Sequence, residues 1–212
     1  MNYDILYTFI LATALLACSP GPDNIFVLTQ SVAHGKKYGL TIVSGLMTGC
    51  LIHTTFVALG FSAIISQSEL LFFIIKLFGV LYLLFLAYKV LRSQSAIELS
   101  DEKKQKKKKK KKLWELFKQG FIMNVLNPKV SIFFLAFFPG FLFNETMSTA
   151  TQFYILGLVF IIVSFIVFGL IAILAGHISK YLRGNPKVGG VLKWGQIIVF
   201  IGIAIFILFS DK

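Results

Sequence analysis

The fold class this sequence predicts is an all-α polytopic membrane protein, with six transmembrane helices arranged as two inverted three-helix repeats whose first helices are broken by proline. Three observations carry that expectation. First, 57% of the 212 residues are hydrophobic and only 14% are charged, too few polar groups to give a soluble domain of this length a wetted surface. Second, the apolar residues gather into six segments, roughly 5–33, 39–65, 69–91, 117–143, 152–175 and 191–209. Each approaches or exceeds the ~20 residues that span the hydrocarbon. Third, basic residues alternate with acidic ones between successive segments. Backbone groups in lipid must find partners within their own segment, so the spans are helices.

Taken in order, segment 5–33 is interrupted by "SPGPDN" (Ser19 to Asn24) and segment 39–65 contains the small-xxx-small pair Gly45 and Gly49. That pair predicts close helix packing within the chain, with a homodimer contact as the alternative. Segment 69–91 carries Lys76 near one end, where it snorkels outward or faces a site. Segment 117–143 is interrupted by Asn127, Pro128 and Lys129, and segments 152–175 and 191–209 run unbroken. The implied organisation is a first repeat at 1–92, a cytoplasmic lysine-rich linker at 93–116 and a second repeat at 117–212. "LLAC" (Leu15 to Cys18) looks like a lipoprotein cleavage site. The stretch before it has an acid and no Lys or Arg, so residues 5–18 are read as part of the mature chain.

Lys36 and Lys37, then Arg92 and Lys118, then Lys180, Arg183, Lys187 and Lys193 mark one side of the membrane. Asp4, Glu69, Glu145, Asp211 and Lys212 mark the other. The positive-inside rule places the basic side in the cytoplasm and both termini outside. Most of the formal charge of +12 comes from one tract, "KKQKKKKKKK" from Lys103 to Lys112. That distribution speaks for membrane topology and against a nucleic-acid partner. The tract is read as a solvated loop, or else as an anchor to anionic lipid at about 1 kcal/mol per residue held near the surface.

The breaks point to a site. Proline removes a donor and clashes one turn back, at about 3 kcal/mol or more in a helix interior. Carbonyls freed at membrane depth are tolerated only where protein or a water-lined cavity satisfies them. Each half-helix that restarts after a break presents free N–H groups and the positive end of its dipole. With three spans per half, the halves enter from opposite faces, and proline breaks at matching positions mark the central site of a transporter. A kink that only shapes packing is the plainer reading of one break alone.

Asp23 caps the helix after Pro22, binds a substrate ammonium, or carries a proton. Lys129 in a first turn opposes the dipole and wants an anion, either Asp23 or a substrate carboxylate. Asn24, Asn124 and Asn127 serve as caps or substrate ligands, and His53 makes an interhelical hydrogen bond or relays protons.

These residues resemble a known family. "SPGPDN", "HGKKYGLTIVSGLMTG", "KLFGVLYLLFLAYKVLRS" and "NPKVSIFFLAFFPGF", in that order across nearly the whole chain, are similar to the LysE/RhtB family of bacterial amino-acid exporters; the lysine tract is not part of the pattern. The resemblance implies a carrier in the bacterial inner membrane that expels amino acids on the proton gradient. Its signature positions are here Pro20, Gly21, Pro22 and Asp23, then Asn127, Pro128 and Lys129.

The expected substrate ligands are therefore Gly21, Asp23, Asn24, Asn127 and Lys129, with Asp23 and His53 as candidates for proton coupling. Neither cofactor nor enzymatic activity is expected. No phosphate-binding glycine loop supports nucleotide-driven pumping. The alternatives are a metal-ion exporter, for which one Asp and one His in the spans are a thin donor set, and a thiol-redox conduit through Cys18 and Cys50.

Overall fold

The computed structural model describes residues 3–19, 21–61, 69–92, 112–184 and 186–209. Every regular element among them is helical. The chain forms α1 (Tyr3–Cys18), α2 (Pro22–His34), α3 (Lys36–Phe56, ending in a wider π turn to Phe61), α4 (Glu69–Arg92) and α5 (Leu113–Val125). It continues with α6 (Pro128–Phe137, closing in a 3₁₀ turn to Phe141), α7 (Thr149–Ile173), α8 (Ala175–Gly184) and α9 (Pro186–Phe209). The linker residues 93–111 and Pro20 lie outside the described residues, as do both chain ends.

Three unbroken stretches are long and apolar enough to cross a membrane, Lys36–Gly60, Thr149–Ile173 and Gly190–Phe209. The pairs α1–α2 and α5–α6 pass the same test jointly but bend by 61° and 49° at their breaks, giving up to five spans among the described residues. Both bends fall where the proline motifs require them. The chain restarts in each case with proline at the head of the new helix, where its missing N–H costs nothing.

One element was not expected. The basic stretch after segment 152–175 reads as a loop, yet Ala175–Gly184 forms α8. The chain kinks at Leu174, and α8 then buries Ala175 and Ser179 while exposing Lys180 and Tyr181.

Packing crosses between the two halves of the sequence. The most extensive helix contact joins α3 to α5, the next joins α4 to α9, and α3 and α1 both pack on α7. The seam of α3 is a repeating stripe of Gly39, Ile42, Val43, Leu46, Gly49, Cys50 and His53, the spacing of one helix face. The glycines make its tightest part. A Cβ on Gly45 would collide with the backbone of Phe117 and Phe121, and one on Gly120 with the carbonyl of Ile42. The small-xxx-small pair thus serves an intrachain contact, the first of its two expected uses. In α4, Val80, Leu83 and Ala87 turn inward while Phe78, Leu81 and Phe85 stay exposed, as a helix between protein and lipid would arrange them.

Two further features shape the surroundings of the breaks. An aromatic cluster joins α1 to α6. Phe9 meets Phe138 and Phe141 at 5.2 Å between ring centroids, while Phe134 and Phe138 stack at 4.2 Å. After α6, the chain is held by buried Gln152. Its Oε1 accepts from the N–H groups of Phe143 and Asn144, and its Nε2 donates to the carbonyls of Asn144 and Met147.

Candidate functional site

The two breaks, more than a hundred residues apart in sequence, meet. Nδ2 of Asn127 donates to Oδ2 of Asp23 at 2.8 Å. The same Asn127 caps α6, its Oδ1 accepting from the backbone N–H of Lys129 at 3.0 Å. Asparagine suits both tasks because its amide carries an acceptor and two donors. The cap satisfies one orphan N–H of the half-helix, and the free amide end reaches across to the carboxylate.

Carbonyls freed at the first break are answered locally. Asn24 Nδ2 donates to the carbonyl of Ala17 at 2.7 Å, and the Lys129 ammonium reaches the carbonyl of Ser19 at 3.5 Å. Lys129 also lies over the ring of Phe200, 5.2 Å from its centroid. The lysine therefore points inward against the first break and does not extend toward the membrane edge. Asp23 and Lys129 line the same cavity. Asp23 is buried, and its Oδ1 has no hydrogen-bond partner.

A cavity of about 40 Å³ opens between the breaks, room for roughly three waters by a measure in which one needs about 10–15 Å³. Its polar wall includes Gly21, Asp23, Asn24, Asn124, Asn127 and Lys129, and its apolar wall includes Leu46, Met47, Phe160 and Phe168. All five residues expected as substrate ligands thus line one cavity. Gly21 faces the ammonium directly, since a Cβ there would sit 3.8 Å from Lys129 Nζ. No side chain caps α2, in contrast to α6, so the dipole end of α2 is open toward Lys129.

His53 does not line the cavity. Its Nε2 meets the carbonyl of Asn124 at 3.1 Å, on the last turn of α5 before the break, which is the interhelical bond the sequence allowed. A glutamine at 53 carries a donor able to reach the same carbonyl. His53→Gln is therefore expected to keep the protein's activity and its pH profile, while His53→Ala lowers that activity by about tenfold through loss of one buried bond. A pH profile that flattens in the glutamine variant would instead put a moving proton on the imidazole.

Two further wall residues are Cys50, read in the sequence only as half of a redox pair, and Ser164, not read there at all. Cys50 is buried against Asn124, whose Nδ2 donates to its Sγ at 3.4 Å. Ser164 of α7 lines the cavity with Phe160 and Phe168, one turn to either side. The available signal was a lone serine in an apolar span at i+4 from two aromatics. Cys18 is exposed and does not line the cavity.

Comparison with known proteins places the sequence in a family. The pattern of the LysE type translocator family matches residues 14–211. The homoserine/homoserine lactone efflux protein of Salmonella typhimurium (strain LT2) is 30% identical over 203 residues, covering 95% of this chain and 96% of that protein. The leucine efflux protein of Salmonella choleraesuis is 26% identical over 204 residues, covering 96% and 93%. No solved structure is a significant match.

Proposed function

The chain belongs to the LysE type translocator family, and from that premise we propose that it is a secondary transporter exporting amino acids or close derivatives across the bacterial inner membrane by proton antiport. The observation that carries the reading is the hydrogen bond from Asn127 to Asp23, which ties one broken helix to the other across the cavity.

In this reading α4, at 24 residues, is the sixth span, and the halves 1–92 and 117–212 form an inverted pair. The exchange of partners between halves supports it, with α3 on α5, α1 on α7 and α4 on α9. The basic loops lie in the cytoplasm and the termini outside.

A zwitterionic substrate enters between the breaks. Its ammonium takes the unpartnered Oδ1 of Asp23, and its carboxylate sits between Lys129 and the uncapped start of α2 at Gly21. Asn24 and Asn127 hold the two edges of the site. The cavity as it stands is too small for an amino acid, so loading requires the halves to separate. Phe9 precedes the first break by more than two turns and Phe138 follows the second by as much. Their cluster therefore closes the outer end and must part for release. A proton arriving on Asp23 displaces the substrate ammonium and returns the empty carrier.

The test is efflux from proteoliposomes loaded with a panel of amino acids, with and without a pH gradient. Export of at least one amino acid, accelerated by an opposing proton gradient, is the expected result. A protein that moves none of them would end the reading.

A further inference from the structure

Ser164 has no partner for its hydroxyl, although it is only 1% exposed. Hydroxyls on α3 and α6 behave differently, whereas Thr13 of α1 and Ser31 of α2 are unpartnered like it but do not line the cavity. Thr41, Ser44, Thr48, Thr54 and Thr55 on α3, and Ser131 on α6, each donate to the carbonyl four residues back, the usual resort of a serine or threonine in a membrane helix. Ser164 has given up that bond. Among the described residues, five buried side-chain atoms lack a partner, and only two of them belong to residues lining the cavity, Asp23 and Ser164.

The neighbours of Ser164 describe what this part of the cavity takes. Phe160 and Phe168 flank it on α7, with Leu46 and Met47 of α3 completing an apolar wall. The charged groups of the site, Asp23 and Lys129, belong to the broken helices. An amino acid held at its charged end by those helices has its side chain left to lie on the apolar wall. The single polar atom that α7 contributes to that wall is the Ser164 hydroxyl.

We propose that Ser164 is a specificity-determining residue that hydrogen-bonds a hydroxyl on the substrate's short side chain. The carrier thereby prefers a hydroxylated α-amino acid to an aliphatic one of the same size. This rests on the export reading above and names the substrate class for the same site. The discrimination arises because an aliphatic side chain leaves the serine unpaired in a dry wall, whereas a hydroxyl completes it.

The probes are homoserine and norvaline, which differ by a hydroxyl in place of a methyl at equal chain length. Proteoliposomes are loaded with both, and the ratio of their efflux rates is read. Wild-type protein favours homoserine by about tenfold, the worth of one buried neutral hydrogen bond. Ser164→Ala brings the ratio close to one, by losing homoserine flux while norvaline flux holds or rises. Ser164→Cys, nearly the same volume with a weak donor, falls between the two.

A wild-type ratio near one overturns the proposal without any variant. So does an unchanged ratio in Ser164→Ala. Either result leaves the export reading standing if other amino acids are carried, whereas a wild type that moves no amino acid removes both.

Discussion

Asparagine at position 23 is expected to leave the protein folded in the membrane and to abolish export. The exchange is conservative where structure is concerned. Asn127 donates to Oδ2 of Asp23, and an asparagine carbonyl oxygen accepts the same bond. What disappears is the charge, and with it the anionic partner of both Lys129 and an incoming ammonium. Leaving the buried Lys129 ammonium and an incoming ammonium without this anion is expected to slow export by roughly two orders of magnitude or more. Lys129→Ala should be equally silent in transport, since no other cationic side chain among the described residues lines the cavity.

A purely structural ion pair would make the same single-variant prediction, so the double variant decides. Neutralising both, Asp23→Asn with Lys129→Met, removes the uncompensated charge and should restore stability toward that of the wild type. Under the proposed function it stays dead in transport. Recovery of efflux in the double variant would show that the pair only holds the breaks together. Full activity in Asp23→Asn alone would take the carboxylate out of the mechanism.

How far the sequence alone reaches depends on what kind of physics fixes each feature. Proline acts on its own backbone, so the bends at Pro22 and Pro128 could be placed without knowing what packs on them. Lone charges in apolar spans are nearly as informative, because burying one without purpose is expensive, and Asp23 and Lys129 do meet in one cavity. The double duty of Asn127 was not separable in sequence, since a cap and a cross-break clamp both ask for asparagine before proline. Ser164 was hard to single out for a different reason. Its helix is apolar on every side, so no polar face says which residues turn inward. Only the buried stripe Gln152, Leu156, Phe160, Ser164, Phe168 and Ala172 reveals it. The helix α8 does have a signal, an amphipathic run, but its lysine and arginine are equally what a topology-setting loop requires.

The tightest helix contact should prove the least tolerant of change. Hydrophobic burial does not drive helices together inside lipid, so association depends on close packing of small residues. At the α3–α5 seam that packing is backbone against backbone from both directions, through Gly45 on one side and Gly120 on the other. A methyl group at either position meets main chain, which has no rotamer by which to step aside. Gly45→Ala and Gly120→Ala should each lower the melting temperature and the yield of assembled protein, with overpacking worth about 1–3 kcal/mol apiece.

Gly49 offers an internal comparison. A Cβ there would meet the side chain of Asn124, which can rotate but holds Cys50 and adjoins the cavity. Gly49→Ala is therefore expected to assemble and to transport poorly. Gly202 on α9 has open space where its Cβ would stand, and Gly202→Ala should change neither property. This order, assembly lost at 45 and 120, transport lost at 49, nothing lost at 202, is what the seam demands. Gly45→Ala and Gly120→Ala chains that melt with the wild type would mean that α3 and α5 are not held at this distance. The position of Asn127 and Lys129 at the second break would then lose its support, because α5 is the helix that leads to both.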